Sequence, residues 1–275
     1  MRVIPLRRLL TVLAVAALFL TGAVSVQAQT GQTAARGGPK PTVVLVHGAF
    51  ADASGFNDVI ALLQKAGFPV IAPANELRDA AGDAAYISSI LDTIPGPVIL
   101  AGHSYGGIVI TNAARGHANV KALVYLGAFA PDQGESALQL AGRFPGSELG
   151  TALIQRHYPL PDGSGDGIDG YIDPAKFRAV FAADLPESTT RLMAATQRPG
   201  SVGGLAGPSG APAWKTIPSW YLIPTRDKVI PPAAQRFMAQ RARSKVREIH
   251  SSHVVMTSHP VAATATILAA YTATR

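Results

Sequence analysis

A chain of 275 residues, 48% hydrophobic and 15% charged, has enough apolar content to bury a sizeable core and too little charge to be read as a disordered polymer. Three of the positive charges behind its formal net +7 lie in the first 28 residues, and the later basic residues are scattered apart from Arg236, Arg241, Arg243, Lys245 and Arg247; this argues for a solvated helix face and against a nucleic-acid partner. There is no cysteine, which excludes disulfides, thiolate metal sites, a cysteine nucleophile and a lipid anchor on an N-terminal cysteine.

Residues 1–28 have the pattern of an export signal: Arg2, Arg7 and Arg8, an apolar run from Leu9 to about Leu20, and the small-residue site Val26-Gln27-Ala28. The run is short for a membrane span and is followed by polar and small residues. The expectation is a secreted or periplasmic protein without lasting membrane association. The mature chain of about 250 residues suits one α/β domain with an insertion. Residues 29–41 are rich in Gly, Gln, Thr and Ala without periodicity and read as a disordered mature terminus.

Thr42 to Val46 is the first predicted strand, and it runs into His47-Gly48-Ala49-Phe50. Acyl transfer needs backbone N–H donors aimed at a developing oxyanion, and Gly48 would let the loop swing aside so that the Ala49 amide points inward. A helix follows over Asp52 to Lys65, then a strand over Pro69 to Ala72. A second helix over Asp79 to Ile94 has Tyr86, Ile87, Ile90, Leu91 and Ile94 at core-facing spacings.

Val98 to Ile110 reads as strand, sharp turn and helix around Gly102-x-Ser104-x-Gly106. The pattern fits a nucleophile elbow, in which small flanking residues let the backbone double back and leave the serine exposed at the strand end. Ser104 is therefore the candidate nucleophile. Val120 to Leu126 is the next buried strand. Strands alternating with helices imply right-handed βαβ units and a parallel, doubly wound sheet, with ligands bound beyond the carboxyl ends of the strands.

From Pro131 to about Lys215 the alternation lapses into Gly-, Pro-, Ser- and Asp-rich stretches broken by helix-like pieces near Ser136–Leu140, Pro174–Ala183 and Ser188–Thr196. Residues 131–215 are read as a cap inserted into a core made of residues 42–130 and 216–275. The sheet pattern returns at Ser219–Ile223. A helix over Ala233–Ala242, a last strand over Lys245–Ile249 and a C-terminal helix from Pro260 complete the core.

A serine nucleophile needs a general base, and a histidine base needs a carboxylate to fix its tautomer. Of seven histidines, His253 lies in a short loop after the last strand, where the chain returns to the carboxyl edge of the sheet; His250 and His259 are the alternatives. His47 and His103 sit inside the two motifs and read as loop braces. Asp227 follows a predicted strand and precedes Pro231-Pro232, so it faces that loop, with Asp132 as the alternative acid. Glu135 and Glu248 read as solvated carboxylates. Phe50, Phe129 and Trp214, together with Tyr105 and Trp220, are the aromatic candidates for an apolar substrate pocket.

His47-Gly48-Ala49, Gly102-His103-Ser104-Tyr105-Gly106-Gly107, Asp227-x-x-x-Pro231-Pro232 and Ser252-His253-Val254-Val255-Met256 together resemble the α/β-hydrolase fold family. Within it they are most similar to the small carboxylesterases that include plant methyl-ester esterases and hydroxynitrile lyases. The resemblance runs from about Thr42 to Ala270 and is weakest in the insertion. It implies a six-stranded, mostly parallel sheet with helices on both faces and a helical cap inserted after the strand ending near Leu126. It also implies Ser104, His253 and Asp227 as the triad, the amides of Ala49 and Tyr105 as oxyanion donors, and a small-molecule ester as substrate.

Lyases of this branch carry a lysine beside the catalytic histidine and a threonine after the oxyanion-loop histidine. Here those positions hold Val254 and Gly48, so esterase chemistry is expected. A ligand-binding protein without turnover is the alternative from another class. No metal or nucleotide motif is present, and no cofactor is expected.

Overall fold

The computed structural model describes residues 39–160 and 162–275. The expected export signal, residues 1–28, and the first ten residues of the expected terminus after it lie outside the described residues. The core is one six-stranded parallel sheet with the strand order β2 (Val70–Ile71), β1 (Thr42–Val46), β3 (Val98–Ser104), β4 (Val120–Ala128), β8 (Ser219–Pro224) and β9 (Lys245–Ile249).

β1 (Thr42–Val46) leads through a 3₁₀ turn, capped by the Asp52 carboxylate, into α1 (Asn57–Lys65). β2 (Val70–Ile71) is short, and α2 (Ala80–Asp92) starts where the Asp79 side chain accepts the Ala81 and Gly82 amides. β3 (Val98–Ser104), α3 (Gly106–Ala113) and β4 (Val120–Ala128) follow. Every residue of β3 is buried, as are Val43 to Val46, which is the signature of strands covered on both faces. α2 and α3 pack on one another, and α11 (Pro260–Ala273) packs on α1 and along β3, β4 and β8.

The core stripe of α2 is Ala80, Ala84, Ile87 and Leu91, with Asp83 beside it. Tyr86, expected to face the core, is 40% exposed instead. It stands one residue before Ile87, about 100° around the helix from that stripe.

The insertion between β4 and β8 (Ser219–Pro224) carries more structure than helices. α4 (Ala137–Gly142) and α5 (Leu149–Ala152) lead to β5 (Leu153–Pro159) and β6 (Asp166–Ile172). α6 (Pro174–Phe181), α7 (Glu187–Thr196), β7 (Gly200–Ser201) and α8 (Val202–Ala206) complete it. β5, β6 and β7 form a separate three-stranded antiparallel sheet. The sequence hides this sheet because β5 is mostly exposed and lacks alternation, and the glycines and aspartates read as loop belong partly to β6.

After β8 come α9 (Pro232–Arg241), β9 (Lys245–Ile249) and the short α10 (Val255–Ser258). Arg241, read as part of a solvated face, is half-buried and forks onto Glu135 at 2.7 and 2.6 Å while also reaching the Ala130 carbonyl. Glu135 is correspondingly not a free surface carboxylate. Burial alone would raise its pKa, but the Arg241 hydrogen bonds and the Asp132 amide hold it below the usual range. Among the described residues no helix is long and apolar enough to cross a membrane.

Candidate active site

β2 lies on one side of β1, and β3 followed by β4 on the other, so the chain leaves β1 and β3 in opposite directions. The loops after β1 and β3 therefore diverge and leave a crevice at their carboxyl ends. His47–Phe50 and Ser104–Gly106 line it.

Ser104 has φ of +54°, a left-handed conformation rare for a residue with a side chain. Strand-to-helix reversal over one residue forces this, and the neighbours must be small. A Cβ on Gly106 would stand 2.3 Å from the Val46 carbonyl oxygen. Gly48 is needed for a reason the sequence did not reveal: its φ is not in the left-handed region, but a Cβ there would lie 2.6 Å from the Ser104 Cβ. The first strand's loop thus rests directly on the elbow. Neither the Ala49 nor the Tyr105 amide donates a hydrogen bond to another described residue.

Three buried histidines surround this point, and their partners define their tautomers, because a carbonyl or carboxylate oxygen can only accept. His47 donates from Nδ1 to the Gly48 carbonyl at 3.0 Å and accepts the Asn75 amide at Nε2. Burial pushes its pKa down and keeps the ring neutral. His103 donates from Nε2 to the His253 carbonyl at 3.1 Å; burial, then repulsion from His253, depresses it well below the ordinary value. Both are braces. His253 donates from Nδ1 to Asp227 Oδ2 at 2.7 Å, which in the neutral ring makes Nε2 the acceptor, and that atom meets no hydrogen-bond partner among the described residues.

Asp227 is held as firmly as it holds. Its Oδ1 accepts the Val229 and Ile230 amides at 2.8 and 2.9 Å, and its Oδ2 accepts Gln235 Nε2 at 2.8 Å. Asp132, the alternative acid, pairs with Lys215 at the surface. His250 is exposed, and His259 lies 3.7 Å from Asp184 instead of facing Asp227. Gln235 was not singled out from the sequence, since a glutamine on a basic helix carries no signal until β8 and α9 are folded together.

Phe181 is a second such residue: it packs tilted on the His253 ring at 5.1 Å and edge-on to Phe50 at 6.3 Å. Asp83 is a third. It is buried on α2 and accepts the Tyr105 hydroxyl at 2.9 Å and the Arg78 amide. Burial raises the pKa of Asp83 and, together with the Asp83 charge, that of Tyr105.

A cavity opens on Ser104 between Ala49, Phe50, Tyr105 and Phe129 of the core and Leu138, Leu149 and Leu205 of the insertion. Its free volume is about 10 Å³, room for roughly one water molecule. Its wall carries no charged side chain. Trp214, expected in the pocket, does not line it: the indole N–H donates to the Pro131 carbonyl at 2.8 Å, and Lys215 and Arg241 stand over the ring. Trp220 is likewise buried in β8, with Lys245 against its ring. Among the described residues no group of three or more His, Asp and Glu side chains converges on a point that could hold a metal ion.

Residues 43–267 match the family model described as the alpha/beta hydrolase family. A pyrethroid hydrolase from Sphingobium wenxiniae is 30% identical over 238 residues, 79% of this chain and 83% of that protein. A carbendazim hydrolyzing esterase from a Nocardioides species is 38% identical over 124 residues, which is 40% of this chain and spans about half of that esterase, 51%. Among solved structures, polyneuridine aldehyde esterase superimposes with a TM-score of 0.73 at 21% identity, covering 84% of this chain and 98% of the other, a likeness of fold.

Proposed function

The chain belongs to the alpha/beta hydrolase family, and from that premise we propose that it is a serine carboxylesterase that hydrolyses small hydrophobic esters through Ser104, His253 and Asp227. The observation that carries the proposal is the Nδ1–H to Asp227 bond of a fully buried His253, which turns Nε2 away from Asp227 without a partner among the described residues, in a ring that packs 4.7 Å from that of His103, the neighbour of Ser104. Relatives named as an esterase and a pyrethroid hydrolase support ester chemistry for this chain too.

In this mechanism Ser104 Oγ attacks the ester carbonyl as His253 Nε2 takes its proton. The resulting oxyanion lies against the Ala49 and Tyr105 amides, both free to donate. Collapse breaks the carbonyl–alkoxy bond, and the proton on His253 passes to the departing alcohol oxygen. Water then attacks the acyl-enzyme with His253 again as base, returning Ser104 and releasing the acid. Asp227 stays ionised throughout and stabilises the imidazolium. The uncharged wall of the Ser104 cavity favours a neutral, apolar group over an anion.

Hydrolysis of p-nitrophenyl acetate and butyrate by the protein and by Ser104→Ala, with mass spectrometry after an organophosphonate probe, tests the reading. The expected result is turnover lost in the variant and an adduct on the Ser104 peptide. Ligand binding with neither turnover nor adduct would favour a non-hydrolytic binding protein. The export pattern of residues 1–28 belongs to the same proposal, and N-terminal sequencing of exported protein is expected to begin at Gln29.

A further inference from the structure

A second chamber stands beside the Ser104 cavity, and Phe50 lines both. This chamber lies between the loop after β1, helix α7 of the insertion and helix α10, and its free volume is about 170 Å³, space for on the order of ten water molecules. Phe50 is 3% exposed and has φ of +62°, one of four non-glycine residues at positive φ among the described residues, Ser104 being another. Its amide donates to the Arg198 carbonyl of the insertion at 2.9 Å, which pins the strained backbone and sets the ring as a partition.

The two chambers differ in chemistry and in the loops that wall them: Ser104 lines the inner one, and the segment just after His253 lines the outer one. The inner one is walled by apolar side chains around Ser104 and the two oxyanion amides. The outer one is walled partly by Thr189, Gln197 and Thr257, with the thioethers of Met193 and Met256. Asp52 also lines it, its Oδ1 accepting the Ser54 amide and hydroxyl at 2.8 and 2.5 Å. Met256 and Thr257 belong to the helix that begins two residues after His253, and Phe181 touches both the His253 and the Phe50 rings.

The histidine that protonates the departing oxygen stands on the leaving-group side of the tetrahedral intermediate. We propose that the outer chamber is the subsite for the alcohol portion of the ester, and that Phe50 is the residue that sets how large that portion can be. The inference rests on the serine esterase reading. The substrate class it names is an ester of a compact apolar acid with a larger alcohol, aromatic or extended, that carries a hydrogen-bonding atom. The alcohol reaches the methionine and threonine wall past Phe50, while the acyl group stays against Phe129 and Leu205.

The test varies the two halves of the ester separately. Acetates of methanol, benzyl alcohol and 1-naphthylmethanol lengthen the alcohol side, and p-nitrophenyl esters from acetate to octanoate lengthen the acyl side. Met193→Trp fills the outer chamber and is expected to lower the naphthylmethyl-to-methyl ratio of kcat/KM at least tenfold while the octanoate-to-acetate ratio stays within twofold. Phe50→Ala, which removes the shared wall, is expected to shift both ratios toward the larger substrate, and Phe50→Leu to do so less.

A Met193→Trp effect confined to the acyl series, or no effect on either series, overturns the proposal. A second readout needs no turnover: 1-naphthylmethanol is expected to bind Ser104→Ala, by saturation-transfer NMR, and to lose at least tenfold in affinity when Met193→Trp is added. Unchanged affinity overturns the proposal. Absence of ester turnover and of a phosphonate adduct at Ser104, with that binding intact, strikes the esterase reading and leaves the chamber standing as a binding site.

Discussion

Asp184, carried by the turn between α6 and α7, hydrogen-bonds Ser252, the residue immediately before His253. Its carboxylate accepts the Ser252 amide at 2.9 Å, the Ser252 hydroxyl, and the Ser251 hydroxyl at 3.0 Å. The insertion is therefore tied to the loop that carries the proposed base. It is also tied to the oxyanion loop, because Gly200 lies so close to Ala49 that a Cβ on it would meet the Ala49 Cβ at 2.8 Å.

Burial alone would raise the Asp184 pKa, but the hydrogen bonds from Ser252, Ser251 and Ser258 hold it below the ordinary value. A depressed folded-state pKa contributes stability that is present above the unfolded value, about 3.9, and is lost as pH falls through the folded value. Asp184→Asn is expected to lower kcat/KM about tenfold at neutral pH. The gap in melting temperature between native protein and variant should shrink below pH 4 and stay constant between pH 5 and 8. A gap that persists unchanged at pH 3 would show that the charge is not what matters.

Asp227→Asn is expected to lower kcat on the order of 10⁴-fold, because an amide no longer specifies the Nδ1–H tautomer of His253. Asp132→Asn is expected to leave kcat within about twofold, since Asp132 pairs with Lys215 at the surface, where such pairs contribute little. Steady-state kinetics of the two variants decide the identity of the acid. Similar losses would remove Asp227 from its assigned role.

Asp83→Asn tests the Tyr105 anchor. A carboxyl whose folded pKa is raised contributes most below its unfolded pKa and loses that contribution as pH rises toward the folded value. Replacing it with a neutral amide is therefore expected to make the protein relatively more stable at pH 8 than at pH 4, compared with the native chain. Thermal melts at the two pH values measure this, and a difference of opposite sign refutes it. The Tyr105→Phe variant is expected to release the Asp83 carboxylate from its hydroxyl partner and to reduce turnover by loosening the adjacent amide.

Gly106→Ala is expected to cost about 1–3 kcal/mol or more, because the added Cβ would stand 2.3 Å from the Val46 carbonyl oxygen, a backbone atom that cannot rotate away. For a domain of this size that is a fall of several degrees in Tm. Ester turnover is expected to fall with it, since the displaced turn carries Ser104. A melt and an activity assay on the same preparation check both. Full stability would show that the elbow relaxes.

The sequence by itself determined what is local. Apolar runs without alternation mark β1, β3, β4 and β8 because strands buried on both faces tolerate no polar side. Gly102-x-Ser104-x-Gly106 marks the elbow because only small residues permit that reversal. That His253 and Asp227 face one another was legible because each follows a strand, and in a parallel sheet all strand carboxyl ends fall on one edge. Tertiary structure alone decided what depends on distant packing. Gln235 meets Asp227 only when α9 folds under β8, and Asp184 reaches Ser252 and Phe181 reaches His253 only when the insertion closes over the core. Trp214 leaves the Ser104 cavity because its indole N–H needs a buried acceptor and finds it at Pro131. The antiparallel sheet β5-β6-β7 is held by pairing between segments that look like loop in isolation, because an exposed strand carries no apolar alternation to announce it.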